Sequence, residues 1–413
     1  MSRVAVIGGG AAGLMAASKA AENGAEVILF EKNKRPGRKI CITGKGRCNI
    51  TNKCSNSDFI QNVVSNPRFL YSAINAFNTD DTIDFFEYLG VSTKVERGNR
   101  VFPVSDKALD VANALEKAAR RNGVRFICET TVKDILFEES RVKGVVDNKG
   151  NTYEADSVIV ATGGKSYPQT GSTGDGYAFA GKLGHTVVPP RASLIPLECG
   201  GDDLEDCASM QGLGLKNVGV KLLRGGKEIE NDFGELLFTH FGLSGPTVLS
   251  LSAHINDAQS GEYTISVDLK PALDEQKLNT RLQRDFDKYS NRELSNSLGD
   301  VLPSSMIPVV LRRFGDYAGL RSNSITREQR QLLVDILKNL TFRIKALRPI
   351  NEAIITRGGI SVTEINPKTM ESKIIDGLFF CGEVLDVDAY TGGFNLQIAF
   401  STGYVAGENA AWL

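Results

Sequence analysis

Residues 1–31 combine short apolar runs with glycines and one alanine-rich stretch. Residues 4–7 and 27–30 are short apolar runs containing β-branched residues, which is typical of buried strands. Residues 11–23 lie between them, are rich in alanine and end before Gly24, which predicts a helix with a glycine stop. Two parallel strands joined by a helix form a βαβ unit, so this pattern predicts a doubly wound α/β sheet.

The pattern of helices and strands continues after one polar interruption. Residues 34–52 are rich in Gly, Lys, Arg and Asn, and we expect an extended loop there. The expected helices are residues 81–89 and 108–122, and the expected strands are residues 124–127, 130–137, 142–146 and 157–161.

The pattern changes after Pro190. Residues 193–268 alternate between apolar and polar positions, which predicts a mostly β region with one helix at residues 246–254. Residues 274–340 are helical in pattern, and Thr326 with Gln329 predicts a capping box at the start of the last helix. Strand and glycine character returns at residue 354, so we predict a nucleotide-binding domain interrupted by an insertion.

The composition limits the class of partner. The chain has 413 residues, of which 41% are hydrophobic, so it can bury a large core without disulfides or metals. Its net charge of −1 argues against a nucleic-acid or anionic-membrane partner, because either usually requires a basic balance. The seven cysteines are scattered, the three histidines lack metal-ligand spacing, and no apolar run approaches the ~18 residues of a membrane span. We expect a cytoplasmic protein of undetermined oligomeric state.

The first chemical motif is Gly8-x-Gly10-x-x-Gly13 between the first strand and its helix. Gly8 permits the tight turn, Gly10 lets the backbone approach a pyrophosphate, and Gly13 lets helix and strand pack closely. Glu31 ends the second strand, where a carboxylate can accept hydrogen bonds from ribose hydroxyls. The whole unit favours dinucleotide binding over a glycine-rich turn without a ligand.

Two features favour FAD over NAD. A cationic, glycine-rich loop that includes residues 37–39 and 43–49 follows Glu31, and it can run along a pyrophosphate towards a flavin. Near the C-terminus, an expected strand at residues 378–381 precedes Gly382-Glu383 and a helix-like run, which can close over the ribityl chain. No second GxGxxG unit is present, so NAD(P)H would need a non-standard site, or the substrate itself would reduce the flavin.

The chain resembles the bacterial FAD-dependent oxidoreductases that include aminoacetone oxidase and the BaiN-type bile-acid reductase. The resemblance spans nearly the whole chain and rests on eight motifs in order: Val6-Ile-Gly-Gly-Gly-Ala-Ala-Gly13, Gly37-Arg-Lys-Ile40, Thr43-Gly-Lys-Gly-Arg-Cys-Asn49, Ala161-Thr-Gly-Gly164, Ser172-Thr-Gly-Asp-Gly176, Phe238-Thr-His-Phe-Gly-Leu-Ser-Gly-Pro246, Thr369-Met-Glu-Ser-Lys373, and Gly382-Glu-Val-Leu-Asp386 with Thr391-Gly-Gly393.

The resemblance implies a fold with three parts. A glutathione-reductase-like FAD-binding Rossmann domain would comprise residues 1–192 and 351–413. An inserted β-barrel-like substrate domain would comprise residues 193–271 with 341–350, and a small helical domain would comprise residues 272–340.

The residues expected to bind FAD lie in the glycine turn, the cationic loop, later strand ends and the C-terminal segment. They are Gly8, Gly10, Ala11, Ala12, Gly13, Glu31, Lys32, Arg38, Lys39, Thr43, Gly44, Arg47, Cys48, Val132, Ala161, Thr162, Gly163, Gly382, Glu383, Asp388, Thr391, Gly392, Gly393, Asn395 and Leu396.

Tyr390 and His240 are the candidates for catalysis, since a flavin enzyme often needs one proton donor or acceptor beside the ring. At positions of this kind, a tyrosine or a histidine is more often a packed structural residue than a catalytic one. Cys48 has no partner at disulfide-reductase spacing, because Cys41 and Cys54 lie seven and six residues away.

The expected function is an FAD-dependent oxidoreductase acting on a small or medium-sized organic molecule. The resemblance favours NAD(P)H-dependent reduction of an activated C=C bond in a steroid-like or bile-acid-like substrate. The alternatives are a flavin-dependent amine oxidase that uses oxygen, a flavoprotein that acts on RNA, and an NAD-only dehydrogenase.

Overall fold

The computed structural model describes residues 1–256 and 261–412, which fall into two compact units. The first unit comprises Met1–Ser193 with Ile350–Leu413, and the second comprises Leu194–Pro349. The division of the second unit into separate barrel and helical domains stays a prediction.

The first unit contains eight described helices and fifteen strands. The helices are α1 (Ala11–Glu22), α2 (Arg38–Ile42), α3 (Asn56–Gln61), α4 (Tyr71–Ala76), α5 (Thr79–Tyr88), α6 (Ala108–Arg121), α7 (Asp175–Lys182) and α14 (Phe394–Ala410). The strands are β1 (Arg3–Ile7), β2 (Glu26–Phe30), β3 (Thr51–Asn52), β4 (Val63–Ser65), β5 (Thr93–Glu96), β6 (Arg100–Pro103), β7 (Arg125–Ile127), β8 (Val132–Glu138), β9 (Arg141–Asp147), β10 (Thr152–Glu154), β11 (Ser157–Val160), β12 (Val187–Ser193), β19 (Ile355–Ile360), β20 (Leu378–Phe380) and β21 (Asp388–Ala389).

A five-stranded parallel sheet of order β20-β11-β1-β2-β7 forms the centre of the first unit. Every residue of β11 and β20 is buried, as in a sheet whose two faces are both covered by helices. Around it lie the antiparallel sheets β10-β9-β8 and β3-β6-β5 and the pairs β12-β19 and β4-β21. The predicted βαβ unit is therefore β1-α1-β2, and the α/β expectation for this unit is confirmed.

Helices α1 and α14 pack closely because glycines of α14 face the backbone of α1. A Cβ atom at Gly403 would lie 2.4 Å from the carbonyl oxygen of Ala12, and one at Gly407 would lie 2.2 Å from that of Ala16. Real Cβ atoms do not approach oxygen so closely, so each position admits only glycine without a shift of one helix.

The second unit is built on a closed barrel of order β13-β16-β15-β14-β17-β18. Its strands are β13 (Leu197–Cys199), β14 (Gly214–Arg224), β15 (Lys227–Thr239), β16 (Gly242–Ser244), β17 (Tyr263–Asp268) and β18 (Leu340–Leu347). Its helices are α8 (Asp202–Ser209), α9 (Pro246–Ser252), α10 (Glu275–Lys288), α11 (Leu294–Ser297), α12 (Ile307–Phe314) and α13 (Arg327–Lys338). Thr326 and Gln329 form the predicted capping box of α13.

One expectation on secondary structure is wrong. Residues 34–52 are not one extended loop, because they contain α2, a 3₁₀ turn at Thr43–Gly46 and β3. Helix α2 forms because it buries the side chain of Ile40 in the core. The region 193–268 also contains α8, which is tied down by its buried carboxylates: Asp206 accepts from Arg312 and Arg313.

A Ser372–His185–Glu364 group, with the serine and histidine buried and the glutamate half-buried, anchors β20 from outside the sheet. Ser372 Oγ accepts the N–H groups of Ile374 and Ile375 at 3.0 and 2.9 Å. Its proton is therefore directed to Nε2 of His185 at 2.9 Å, and the Nδ1–H of that ring donates to Glu364 at 3.2 Å. The ring packs edge-on against Phe380 of β20, with 5.0 Å between centroids.

His185 makes stability depend on pH. Burial lowers the pKa of His185 below its usual value, against the opposing charge of Glu364. The unfolded chain, with a histidine pKa of about 6.5, binds the proton that the folded chain resists. We expect this contribution to be complete above that pKa and to be lost as the pH falls from 7 to 5. In chemical denaturation, His185→Gln should show a flatter decline of unfolding free energy than the parent, while His240→Gln should not. Equal slopes in all three proteins would contradict this account.

The close packing of α14 on α1 predicts the effect of one added methyl group. Gly407→Ala should lower the free energy of unfolding by about 1–3 kcal/mol through overpacking. Gly181→Ala in α7 is the matched control, since its Cβ would meet no atom within 4 Å. It should be neutral or stabilising by up to about 1 kcal/mol, from helix propensity. Denaturant midpoints measure both, and equal midpoints for the two variants would exclude the close contact.

Candidate functional site

A cleft open to solvent lies at the carboxyl ends of the central strands of the first unit. This is where parallel α/β sheets bind their ligands. Many of the predicted FAD-binding residues line it: Gly8, Gly10, Ala11, Ala12, Glu31, Lys32, Arg38, Lys39, Thr43, Val132, Ala161, Thr162, Gly163, Glu383, Asn395 and Leu396.

The three motif glycines play different structural parts. Gly8 has a φ of +105°, and a Cβ there would lie 2.6 Å from the carbonyl oxygen of Ala161. A Cβ at Gly13 would lie 1.9 Å from the carbonyl oxygen of Gly8, so this glycine lets α1 pack on the turn. A Cβ at Gly10 would meet no protein atom within 4 Å, because this residue faces the open cleft.

The carboxylate of Glu31 is fixed at the wall of the cleft. Its Oε2 accepts the N–H of Gly9 at 2.9 Å, and its Oε1 accepts the N–H and the side-chain amide of Asn33 at 2.8 and 2.6 Å. The next residue, Lys32, donates to Asp175 at 2.6 Å and to Thr173 at 2.5 Å. The start of α7 is thereby tied to the end of β2.

A second charged network fixes Glu383 in the wall of the cleft. Lys39 Nζ lies 2.7 Å from Oε2 of Glu383 and 2.7 Å from Oγ of Ser166. Oε1 of Glu383 accepts from Ser166 Oγ at 2.9 Å and from the N–H of Thr356 at 2.8 Å. Four segments that are distant in the sequence therefore share one network, which orients the carboxylate.

Backbone N–H donors at the cleft are left for a ligand. The N-cap Gly10 of α1 and the N-cap Gly393 of α14 provide no side-chain cap. The first N–H groups of a helix have no intrahelical acceptor and attract negative charge. The first turns of both helices, Ala11 with Ala12 and Asn395 with Leu396, line the cleft.

The predicted residues Gly44, Arg47 and Cys48 do not contribute to the described cleft wall. Arg47 stacks on Phe102 at 4.2 Å, and its guanidinium pairs with the carboxylates of Glu96 and Asp106. Cys48 is fully buried, which raises the pKa of its thiol to about 12. The role of these three residues in binding a cofactor stays a prediction.

The C-terminal residues Gly382, Asp388, Thr391, Gly392 and Gly393 and the candidate Tyr390 also lie outside the described lining. Asp388 is buried and accepts from Ser193 Oγ at 2.9 Å. Asn395 accepts the N–H of Ala389 at 2.9 Å and donates to the carbonyl oxygens of Ala389 and Tyr390 at 2.7 and 3.2 Å. Asn395 thereby holds the Tyr390 loop against the first turn of α14.

His240 lies in the second unit, on the exposed turn between β15 and β16. Its ring contacts that of Phe241 at 5.1 Å between centroids. Catalytic roles for His240 and Tyr390 stay predictions.

Several cleft residues were missed by the sequence analysis, among them Asn33, Thr170, Ser172 and Asp175. The motif at residues 172–176 was the available signal, but it lacks strand–turn–helix spacing and was given no role. No group of three or more potential metal ligands occurs in residues 1–256 and 261–412. Within the same ranges, no helix is long and apolar enough to cross a membrane.

The cleft fits the expected FAD. Glu31 offers a carboxylate for ribose hydroxyls, and α1 offers N–H groups for a pyrophosphate. The first turn of α14 and the network around Glu383 line the same cleft, so residues from both ends of the chain can hold one dinucleotide.

Gly10→Val provides a test of the cofactor position. Because a Cβ at Gly10 meets only open space, the unfolding free energy of the apoprotein should change by less than about 0.5 kcal/mol. The affinity for FAD should fall at least about tenfold, because a steric cost of only about 1.4 kcal/mol is enough for a tenfold loss. Quenching of FAD fluorescence measures this affinity. Gly214→Val is the control, since Gly214 has no positive φ, a Cβ there also meets no atom within 4 Å, and Gly214 is absent from the described cleft wall. Unchanged FAD affinity in Gly10→Val would place the cofactor elsewhere.

Two full-length relatives differ in the reaction that they are named for. The chain is 32% identical to the 3-dehydro-bile acid delta(4,6)-reductase of Clostridium scindens, over 100% of this chain and 99% of that protein. It is 31% identical to the ribosomal RNA dihydrouridine synthase of Escherichia coli, over 98% of this chain and 96% of that protein.

Solved structures support the fold. The 3-ketosteroid-delta4-(5alpha)-dehydrogenase of Rhodococcus jostii, in complex with 4-androstene-3,17-dione, aligns with a TM-score of 0.51 and 16% identity. The alignment covers 100% of this chain and 97% of that chain. This agreement confirms the predicted α/β fold, and the family confirms the cofactor FAD. The family model described as the HI0933-like protein Rossmann domain matches residues 2–409, so the chain belongs to the HI0933-like Rossmann family and is an FAD-dependent oxidoreductase.

Proposed function

We propose that this enzyme reduces a carbon–carbon double bond conjugated to a carbonyl group, with NADH or NADPH as the electron donor. The observation that carries the proposal is the chemistry shared by the two full-length relatives. A delta(4,6)-reductase of a 3-dehydro bile acid saturates ring double bonds conjugated to a ketone. A dihydrouridine synthase saturates the 5,6 double bond of uracil, which is conjugated to the 4-carbonyl. One hydride-transfer site can perform both reactions.

The thiols of the described chain support flavin chemistry rather than disulfide exchange. Cys381 lines the cleft, but complete burial raises the pKa of its thiol. Cys48 and Cys54 have pKa values raised by burial to about 12 and about 11. Only the thiolate attacks disulfides, and burial disfavours the thiolate form of these three cysteines. Bound FAD supplies the hydride instead.

The protein's own contribution is binding, charge stabilisation and a proton. Hydride addition to a conjugated double bond places negative charge on the carbonyl oxygen, and the adjacent carbon then requires a proton. Tyr390 is the proposed proton donor, because Asn395 holds its loop against the cleft-lining first turn of α14. His240 is the second candidate, on its exposed turn of the barrel.

The proposed substrate is a medium-sized organic molecule that carries an enone, in line with the bile-acid relative. A uridine within RNA is the second candidate, because the dihydrouridine synthase has almost the same identity and coverage. The amine-oxidase alternative has less support, since neither full-length relative is named for an amine.

The proposal predicts two separate half-reactions in anaerobic stopped-flow absorbance near 450 nm. NADH or NADPH should bleach the flavin of the purified protein. The reduced protein should then be reoxidised at least about tenfold faster by a 3-oxo-4,6-diene steroid, or by uridine-containing ribosomal RNA, than by air. Tyr390→Phe should leave the bleaching unchanged and slow reoxidation by the substrate by about 10²-fold or more, the usual contribution of a general acid.

A matched control for Tyr390→Phe is Tyr317→Phe, in the second unit. Absence of bleaching by either nucleotide would eliminate NAD(P)H as the electron donor. Reoxidation by air that outpaces both test substrates would instead indicate an oxidase.

A further inference from the structure

The small sheet β3-β6-β5 and the loop before it carry a concentrated positive charge. We use the name cationic surface for residues 44–53 and 93–107. These two segments contain seven lysine and arginine side chains and two carboxylates, although the whole chain has a net charge of −1. The net charge of the whole chain therefore does not reveal this local, positively charged surface.

The two carboxylates of the cationic surface are already paired. Glu96 and Asp106 both pair with the guanidinium of Arg47, and Asp106 also pairs with Lys94 at 2.7 Å. In the described chain, no carboxylate lies within 4.0 Å of the charged atoms of Lys45, Lys53, Arg100 or Lys107, all of which are exposed. Their charge is available to a partner.

Backbone pairing places these cations on neighbouring strands and turns. Asn52 pairs with Arg100 across β3 and β6, and the N–H of Lys53 donates to the carbonyl oxygen of Asn99 at 2.7 Å. Gly44 lies beside Phe102, the ring on which Arg47 stacks and over which Arg100 lies at 5.9 Å. The result is an array spread over two turns, not a single pocket.

The cationic surface adjoins the cleft at one point and contacts the segment before α14 at another. Thr43 lines the cleft, and Lys45 follows it by two residues. Asn52 donates to the carbonyl oxygens of Gly98 and Gly392 at 3.0 and 3.1 Å, which joins the β5–β6 turn to the segment preceding α14. A long ligand could therefore contact this surface while one of its groups reaches the cleft.

We propose that the cationic surface binds the phosphate backbone of RNA and delivers a base to the cleft. Exposed, spread lysine and arginine side chains match the repeated charges of a polynucleotide, and such contacts position the strand without reading its sequence. The inference rests on the second substrate candidate, uridine in RNA, and specifies where that RNA would be held.

The test is fluorescence anisotropy of a labelled RNA hairpin with a uridine-rich loop, mixed with oxidised FAD-loaded full-length protein at 50–300 mM salt. The variant is Lys53→Glu with Arg100→Glu and Lys107→Glu, three exposed residues of the cationic surface. The control is Lys117→Glu with Lys216→Glu and Lys368→Glu, three exposed lysines that receive the same change of charge. Neither set includes a residue that lines the cleft.

We expect the cationic-surface variant to bind RNA at least about tenfold more weakly, with the slope of log affinity against log salt reduced by about 2, since each lost phosphate contact removes about 0.7–0.9. The control should retain most of the affinity. Bleaching by NAD(P)H and reoxidation by the steroid, if present, should be equal in all three proteins.

Equal RNA affinity in the variant and the control, or no RNA binding by the parent at 50 mM salt, would overturn the proposal. Binding of phosphatidylserine vesicles in place of RNA would assign the surface to a membrane and overturn it too. Because the measurement uses oxidised protein and no electron donor, its outcome is independent of whether the proposed reduction takes place.

Discussion

The first turn of α1 meets the end of β1 with no room for a side chain between them. The carbonyl oxygen of Gly8 lies where the Cβ of any other residue at position 13 would be. This contact fixes the point at which α1 begins, and so directs its unpaired N–H groups into the cleft. The glycines of α14 extend the same constraint, because they let that helix lie on α1 and bring its own first turn to the cleft. The cofactor site thus depends on backbone-to-backbone contacts more than on any polar side chain.

The parts of the fold that local spacing encodes could be predicted from the sequence. The β1-α1-β2 unit, Glu31 and the capping box of α13 all depend on residues close together in the chain. The partners of charged residues could not be predicted in this way. Lys32 meets Asp175 across 143 positions, and Arg47 meets Glu96 and Asp106 across 49 and 59 positions. A cation in a glycine-rich loop has the same local pattern whether it faces a phosphate or a carboxylate.

The net charge of the whole chain does not describe the charge of any one surface, for a related reason. A total near zero can arise from evenly mixed charges or from segregated ones, and only the folded arrangement distinguishes them. Here the carboxylates within residues 93–107 are paired, while several cations of the same sheet remain exposed. The expectation of no nucleic-acid partner used that near-neutral total, and the two full-length relatives are named for two different kinds of substrate.

The Ser372–His185–Glu364 group has the atomic order of the triad that activates serine in hydrolases. Yet the lone pairs of its hydroxyl oxygen accept two main-chain N–H groups, and its proton is committed to the imidazole. A nucleophile needs an accessible lone pair, and this oxygen is enclosed among main-chain groups. A search by serine–histidine–acid distances alone would therefore misassign this flavoenzyme to the acyl-transfer enzymes. A structural serine and a nucleophilic serine can share this geometry. They differ in whether the lone pairs of the hydroxyl oxygen already accept other hydrogen bonds.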